Sequence, residues 1–212
     1  MVLESQNWGG FDINAKILGT YECHVVEQLQ ILSTKNSRPF IDIGAADGFF
    51  AVGAILSGFA DESFAYEIND QSRESIAINA QKNGVWEKIH IRQTANVKTI
   101  SEVLDSYDSA LCLVDIEGGE YELLDEAFLK LVSGCDVIVE LHPGLVDDGH
   151  AKERDLIERA QEYFNVELFQ KSDVSFGEFP ELAHLSDDKR LLALSENRAF
   201  EMQWLKLMSK CH

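Results

Sequence analysis

The stretch from Phe40 to Phe50, FIDIGAADGFF, decides how the rest of the chain is read. FIDIG is a short buried strand, and FFAVGAILSG is a helix that ends at Gly58, so Asp42, Gly44 and Gly48 fall where a strand turns into a helix. Working outward, SFAYE is a second strand and QSRESIAINAQKNG a second helix closed by Gly84. KIHIRQ is a strand, VKTISEVLDS a weaker helix and ALCLVD a strand, followed by a helix whose apolar stripe is Tyr121, Leu124, Phe128 and Leu131. DVIVEL, HAKERDLIERAQEYF and VELFQ continue as strand, helix and strand, and after a polar stretch from Lys171 to Asp188 the last strand is RLLAL. Upstream, AKILGTYECHVVEQLQIL places Tyr21, Val25, Leu29 and Leu32 on one helical face before NSRP breaks it.

Short apolar strands alternating with helices define an α/β protein, a doubly wound, mostly parallel Rossmann-like sheet with helices on both faces. We expect a single domain over residues 1–212, with an N-terminal helix at 12–35, a ligand-binding core at 39–142 and a substrate or C-terminal part at 143–212. The segment KSDVSFGEFPELAHLSDD is the candidate substrate loop. The chain carries 37 acidic against 18 basic residues, a net charge of −19, and that field repels a nucleic-acid backbone. A small molecule, a neutral sugar or a basic partner suits it better. Cys23, Cys112, Cys135 and Cys211 form no CxxC pair, the opening MVLESQNWGG has no basic segment followed by an apolar core, and no apolar run approaches the roughly 20 residues that cross a bilayer. A reduced, soluble cytoplasmic protein with no membrane partner is expected.

Ligands of open α/β sheets sit beyond the carboxyl ends of the strands, where Gly44 and Gly48 would let one approach the backbone. A dinucleotide fingerprint needs glycines at 44, 46 and 49, but Ala46 and Phe49 stand there, and a phosphate-binding lysine is missing too. A nicotinamide-dependent dehydrogenase therefore ranks low. Glu67 closes the second strand about 20 residues beyond the loop, where a carboxylate can accept hydrogen bonds from both ribose hydroxyls. The loop and Glu67 together point to a nucleoside without phosphates.

VDIEGGEYELL drives the fourth strand into acid. Side chains alternate along a strand, so Asp115 and Glu117 would share a side if the extended geometry persists, and the same rule links Glu140 and His142 at the end of VIVELHP. Carboxylates on adjacent strands repel unless something cationic or proton-sharing lies between them. A sulfonium or ammonium, a divalent metal, or a proton on His142 could fill that role. Asp115, Glu117, Glu140 and His142 would suit Mg²⁺ or Mn²⁺, but without a short helical His pair or a Cys cluster the expectation is no metal.

DIGAADGFF, VDIEGGEYELL and VIVELHP, in this order, resemble the FkbM-type branch of the class I S-adenosylmethionine-dependent methyltransferases, whose hallmark is an Asp-x-Glu-Gly-x-Glu segment at the fourth strand. The likeness runs from about residue 20, where GTYE is similar to the family's preceding segment, to residue 142. The family often has Asn where this chain has Ala46. The resemblance implies that Asp42, Gly44 and Gly48 shape the S-adenosylmethionine loop, Glu67 holds the ribose, Ala95 and Asn96 lie by the adenine, and Asp115 faces the methionine end. Tyr21 and Glu22 could cover the cofactor, although Tyr21 also fits the apolar stripe and is expected in the core. The expected reaction is O-methylation of a hydroxyl on a small molecule or sugar; the shared strand-end placement suggests His142 as base, with Glu117 or Glu140 orienting it or taking the proton. A metal-assisted variant and a non-catalytic binding module on the same fold are the alternatives. Arg198 could clamp an acidic group, but a surface position is expected for it.

Overall fold

The computed structural model describes residues 1–4, 13–33, 38–171, 179–196 and 202–210. Its helices and strands, in chain order, are α1 (Ile13–Leu18), α2 (Cys23–Ser33), β1 (Phe40–Ile43), α3 (Phe49–Leu56), β2 (Ser63–Tyr66), α4 (Asp70–Lys82), β3 (Ile89–Arg92) and α5 (Val97–Leu104). They continue as β4 (Leu111–Val114), α6 (Glu120–Leu123), α7 (Glu126–Leu131), β5 (Asp136–Leu141), α8 (Gly149–Tyr163), β6 (Phe164–Gln170), α9 (Asp187–Leu194) and β7 (Gln203–Ser209). Seven strands form one sheet in the order β3-β2-β1-β4-β5-β7-β6. The first five are parallel, and β7 pairs antiparallel with both β5 and β6. Strands β1, β2, β4 and β5 are buried at every position, because helices cover both faces and each strand can be apolar throughout. One core lies under α5, α7 and α8, and the other under α2, α3 and α4.

In its helices and strands the sequence reading departs from this structure at three places. The expected N-terminal helix is two helices, because Gly19 turns left-handed at φ 75° and the amides of Thr20 and Tyr21 both donate to the Ala15 carbonyl, which closes α1. RLLAL is not a strand but the end of α9, which starts behind Ser186 with Asp187 and Asp188 in its first turn. Its Leu191 and Leu192 are exposed and only Leu194 of the run is buried, the one-sided burial of a surface helix. The last strand is instead QWLKLMS, inserted between β5 and β6, where Trp204, Leu205 and Leu207 are buried. Lys206 is tolerated inside because its Nζ reaches Gln28 Oε1 at 2.9 Å and Glu167 Oε2 at 2.8 Å. Finally, the helix striped by Tyr121 to Leu131 is broken at Leu124, and Asp125 caps the second piece by accepting from the Phe128 amide at 2.8 Å.

A buried ion pair fixes the opposite edge of the sheet. Arg38 lies 2.9 Å from Asp136 and also donates to the Leu32 carbonyl, while Asp136 accepts from the Ser209 amide, so α2, β5 and β7 meet at one point. Among the described residues, no helix is long and apolar enough to cross a membrane.

Candidate active site

In a parallel sheet all carboxyl ends face one edge, and here Ile43 lies level with Tyr66 and Val114, and Val114 with Val139. The residues just past those ends surround one cleft of about 1270 Å³. Gly44, Glu67, Ala95, Asp115, Glu117 and Glu140 all line it. Gly44 is obligatory: its φ is 91°, and a Cβ there would stand 1.7 Å from the Asp115 carbonyl oxygen. Ala46 adopts the left-handed region at φ 49°, and its amide donates to Glu67 Oε2 at 2.9 Å. Glu67 Oε1 accepts from the Asn69 amide at 2.8 Å, so this carboxylate is tied to the loop and still has lone pairs for a ligand.

Other expected loop residues act from behind. Gly48, at φ 83°, lets the loop pass over Ile76 and does not line the cleft. Asp42 is buried within β1 and accepts from the Ala51 amide in the first turn of α3, which anchors the helix beneath the loop. Burial pushes its carboxyl up to about 7, partly offset by that hydrogen bond, with the charges of Glu67 and Asp47 adding to the rise. Ala95 lies on the wall, but the side chain of Asn96 is engaged as the cap of α5, accepting from the Thr99 amide at 3.0 Å.

The acidic knot closes around His142. Extended geometry does not persist past Val114: Glu117 has φ 52° and Gly118 φ 100°, and this turn, not strand alternation, brings the acids together. Nε2 of His142 lies 3.6 Å from Asp115, 3.6 Å from Glu117 and 3.8 Å from Glu140. On its other side is Glu120, to which the sequence reading assigned no role. Glu120 is fully buried, and its carboxylate accepts from the amides of Gly118 and His142, both at 2.8 Å, with His142 Nδ1 at 3.2 Å. The third acid of the fourth-strand segment was its only sequence signal.

Burial alone would lower the basicity of His142; the hydrogen bond with Glu120 and the charges of Glu140, Glu120 and Glu117 more than reverse this, and its pKa is raised. Protonation of His142, which the raised pKa favours, would offset part of the repulsion among the four carboxylates. Asp115, Glu140 and His142 each offer a donor within 4.8 Å of the others, and a divalent ion there would have to displace that proton. His142 is only 5% exposed and does not line the cleft; Asp115, Glu117 and Glu140 stand between it and the opening.

The N-terminal segment builds the opposite wall. Tyr21, expected in the core, lies between α1 and α2 and lines the cleft, edge-on to Phe49 at 5.2 Å. Lys16 pairs with Asp47 at 2.9 Å and sits over the Tyr21 ring at 4.8 Å. Glu22 is buried at the same wall. His24 packs edge-on against Trp204, and His90 pairs with Glu62, both away from the cleft. Arg198, His212 and residues 172–178 of the candidate substrate loop lie outside the described residues.

A mostly parallel seven-stranded sheet with helices on both faces is the Rossmann-like methyltransferase fold. No protein-family model matches the chain. Among solved structures it is similar to a Corynebacterium diphtheriae domain assigned as a precorrin-6Y C5,15-methyltransferase, at 17% identity and TM-score 0.55, covering 89% of this chain and 97% of that one. It is also similar to a precorrin-8W decarboxylase from Methanobacterium thermoautotrophicum, at 13% identity and TM-score 0.55 over 87% and 89% of the two chains. A third is a Streptococcus pneumoniae protein assigned as a tRNA (m1A22) methyltransferase and solved with S-adenosyl-L-methionine, at 14% identity and TM-score 0.53 over 88% and 74%. At these identities the likeness carries the fold.

Proposed function

We propose that this chain is an S-adenosylmethionine-dependent O-methyltransferase of the FkbM type, acting on a hydroxyl of a small molecule or sugar. The observation that carries the reading is the gathering of Gly44, Glu67 and Asp115 around one cleft, with a carboxylate–imidazole cluster at its floor. The wall fits the cofactor: the missing Cβ at Gly44 leaves backbone open to it, Glu67 retains acceptors for ribose hydroxyls, and Asp115 offers a counter-charge to the methionine ammonium. Ile68, 76% exposed on the cleft wall, and Ala95 offer apolar flanks to a purine.

When bound, the sulfonium supplies an electrophilic methyl. The chain aligns the acceptor oxygen and receives its proton. Because His142 lies behind the carboxylates, the hydroxyl proton passes first to Glu117 or Glu140 and then to Nε2, while Glu120 holds Nδ1 and fixes the ring. The cluster accepts a proton only after His142 has lost its own, so kcat/KM rises with pH through a value above the ordinary histidine range.

Thermal unfolding with S-adenosylhomocysteine and with NAD tests the assignment. At a hundredfold excess over Kd a ligand specific to the folded chain stabilises it by about 2.7 kcal/mol. The expected result is a raised midpoint with S-adenosylhomocysteine and none with NAD; the reverse pattern sinks the reading.

A further inference from the structure

We propose that the methyl acceptor is a cation, an amine-bearing small molecule such as an amino sugar, selected by Glu117 and Glu122. The proposal rests on the methyltransferase reading and adds the charge of the substrate. Among the described residues lining the cleft there are eight carboxylates and one basic side chain, Lys16. Lys16 is committed to Asp47, and Glu67 to the loop amides. Glu196 accepts from Lys171 and from the Glu22 amide. Asp115 would face the cofactor, and Glu140 is buried beside His142.

Glu22 is buried in the N-terminal wall, which leaves Glu117 and Glu122 on the acceptor side. Glu117 is 64% exposed and meets only the edge of the His142 ring at 3.6 Å. Glu122, on α6, is exposed and has no ion-pair partner among the described residues. Even a protonated His142 would not balance both of them and Glu140. A phosphorylated or carboxylate-bearing acceptor would add like charge to this wall, and a neutral one would gain no attraction from it. An ammonium would complete it, and the −19 charge of the chain would steer cations toward the opening. The charged group serves recognition, and the methyl goes to a neighbouring hydroxyl.

The test is transfer of labelled methyl from S-adenosylmethionine to paired acceptors, glucosamine against glucose and galactosamine against galactose, at low and at 0.2 M salt. The amine member of each pair should show at least tenfold higher kcat/KM, with the gap narrowing at high salt and at least threefold in Glu122→Gln, while Glu122→Gln keeps the thermal shift with S-adenosylhomocysteine. Equal or better use of the neutral sugar overturns the proposal. If no sugar is methylated, calorimetric binding of glucosamine and glucose to the chain saturated with S-adenosylhomocysteine decides, and equal affinities, or a preference that survives in Glu122→Gln, overturn it. Loss of the S-adenosylhomocysteine shift in the wild-type chain would instead sink the methyltransferase reading itself.

Discussion

Asp42→Asn is the substitution whose outcome the structure fixes most closely. Asp42 sits in the middle of β1, level with Ala65 and Leu113, with its carboxyl buried and raised from 3.8 to about 7. The folded value lies above the unfolded one, so the native chain holds this proton more tightly. Stability from this group is therefore greatest below about pH 4, falls as pH rises, and levels off once pH exceeds about 7. At about 1.36 kcal/mol per unit, the loss comes to about 1.6 kcal/mol at pH 5 and about 4 kcal/mol at pH 8, upper figures because water relaxation softens burial. Asn retains an acceptor for the Ala51 amide but does not titrate. Urea unfolding followed by circular dichroism at the two pH values gives the check, since other titrating groups cancel between the two proteins. The stability of Asp42→Asn relative to wild type should increase by about 2 to 3 kcal/mol from pH 5 to pH 8. A difference that stays within about 0.5 kcal/mol would mean that Asp42 is ionised in the native chain like a surface acid, and the buried-carboxyl argument would fall.

Two further substitutions address the loop and the imidazole. Gly44→Ala combines a left-handed backbone with a Cβ 1.7 Å from the Asp115 carbonyl, so it should cost more than about 2 kcal/mol and abolish the S-adenosylhomocysteine shift. Gly58→Ala, at φ 75° but with nothing within 4 Å, should cost only about 1 kcal/mol and leave binding intact; equal effects would refute the close-approach argument. Glu120→Gln removes the largest influence that raises the His142 pKa, so the acidic limb of the kcat/KM profile should move to lower pH while S-adenosylhomocysteine still binds. A limb that stays in place would show that His142 does not set it.

Much of the cleft was legible because a parallel sheet turns a local property into a spatial one. Gly44, Glu67, Asp115 and Glu140 are each recognisable as residues at or just past a strand end, and parallel pairing puts those ends along one edge without further information. Residues whose role depends on distant partners were not legible in this way. Nothing in EGGEYELL says that Glu120 turns inward to bind an amide 22 residues away, and Tyr21 reads as core from its place in the apolar stripe, although Gly19 breaks the helix and leaves it on the cleft wall. RLLAL and QWLKLMS are both apolar stretches of strand length, and only the vacancy between β5 and β6 selects the second. The sequence by itself determined the alternating sheet, the glycine turn and the acids at its edge, since these follow from periodicity and backbone sterics within a few residues. The tertiary structure alone decided the His142 cluster, the N-terminal wall and the order of the last strands, because burial, charge pairing and strand insertion are set by groups far apart along the chain.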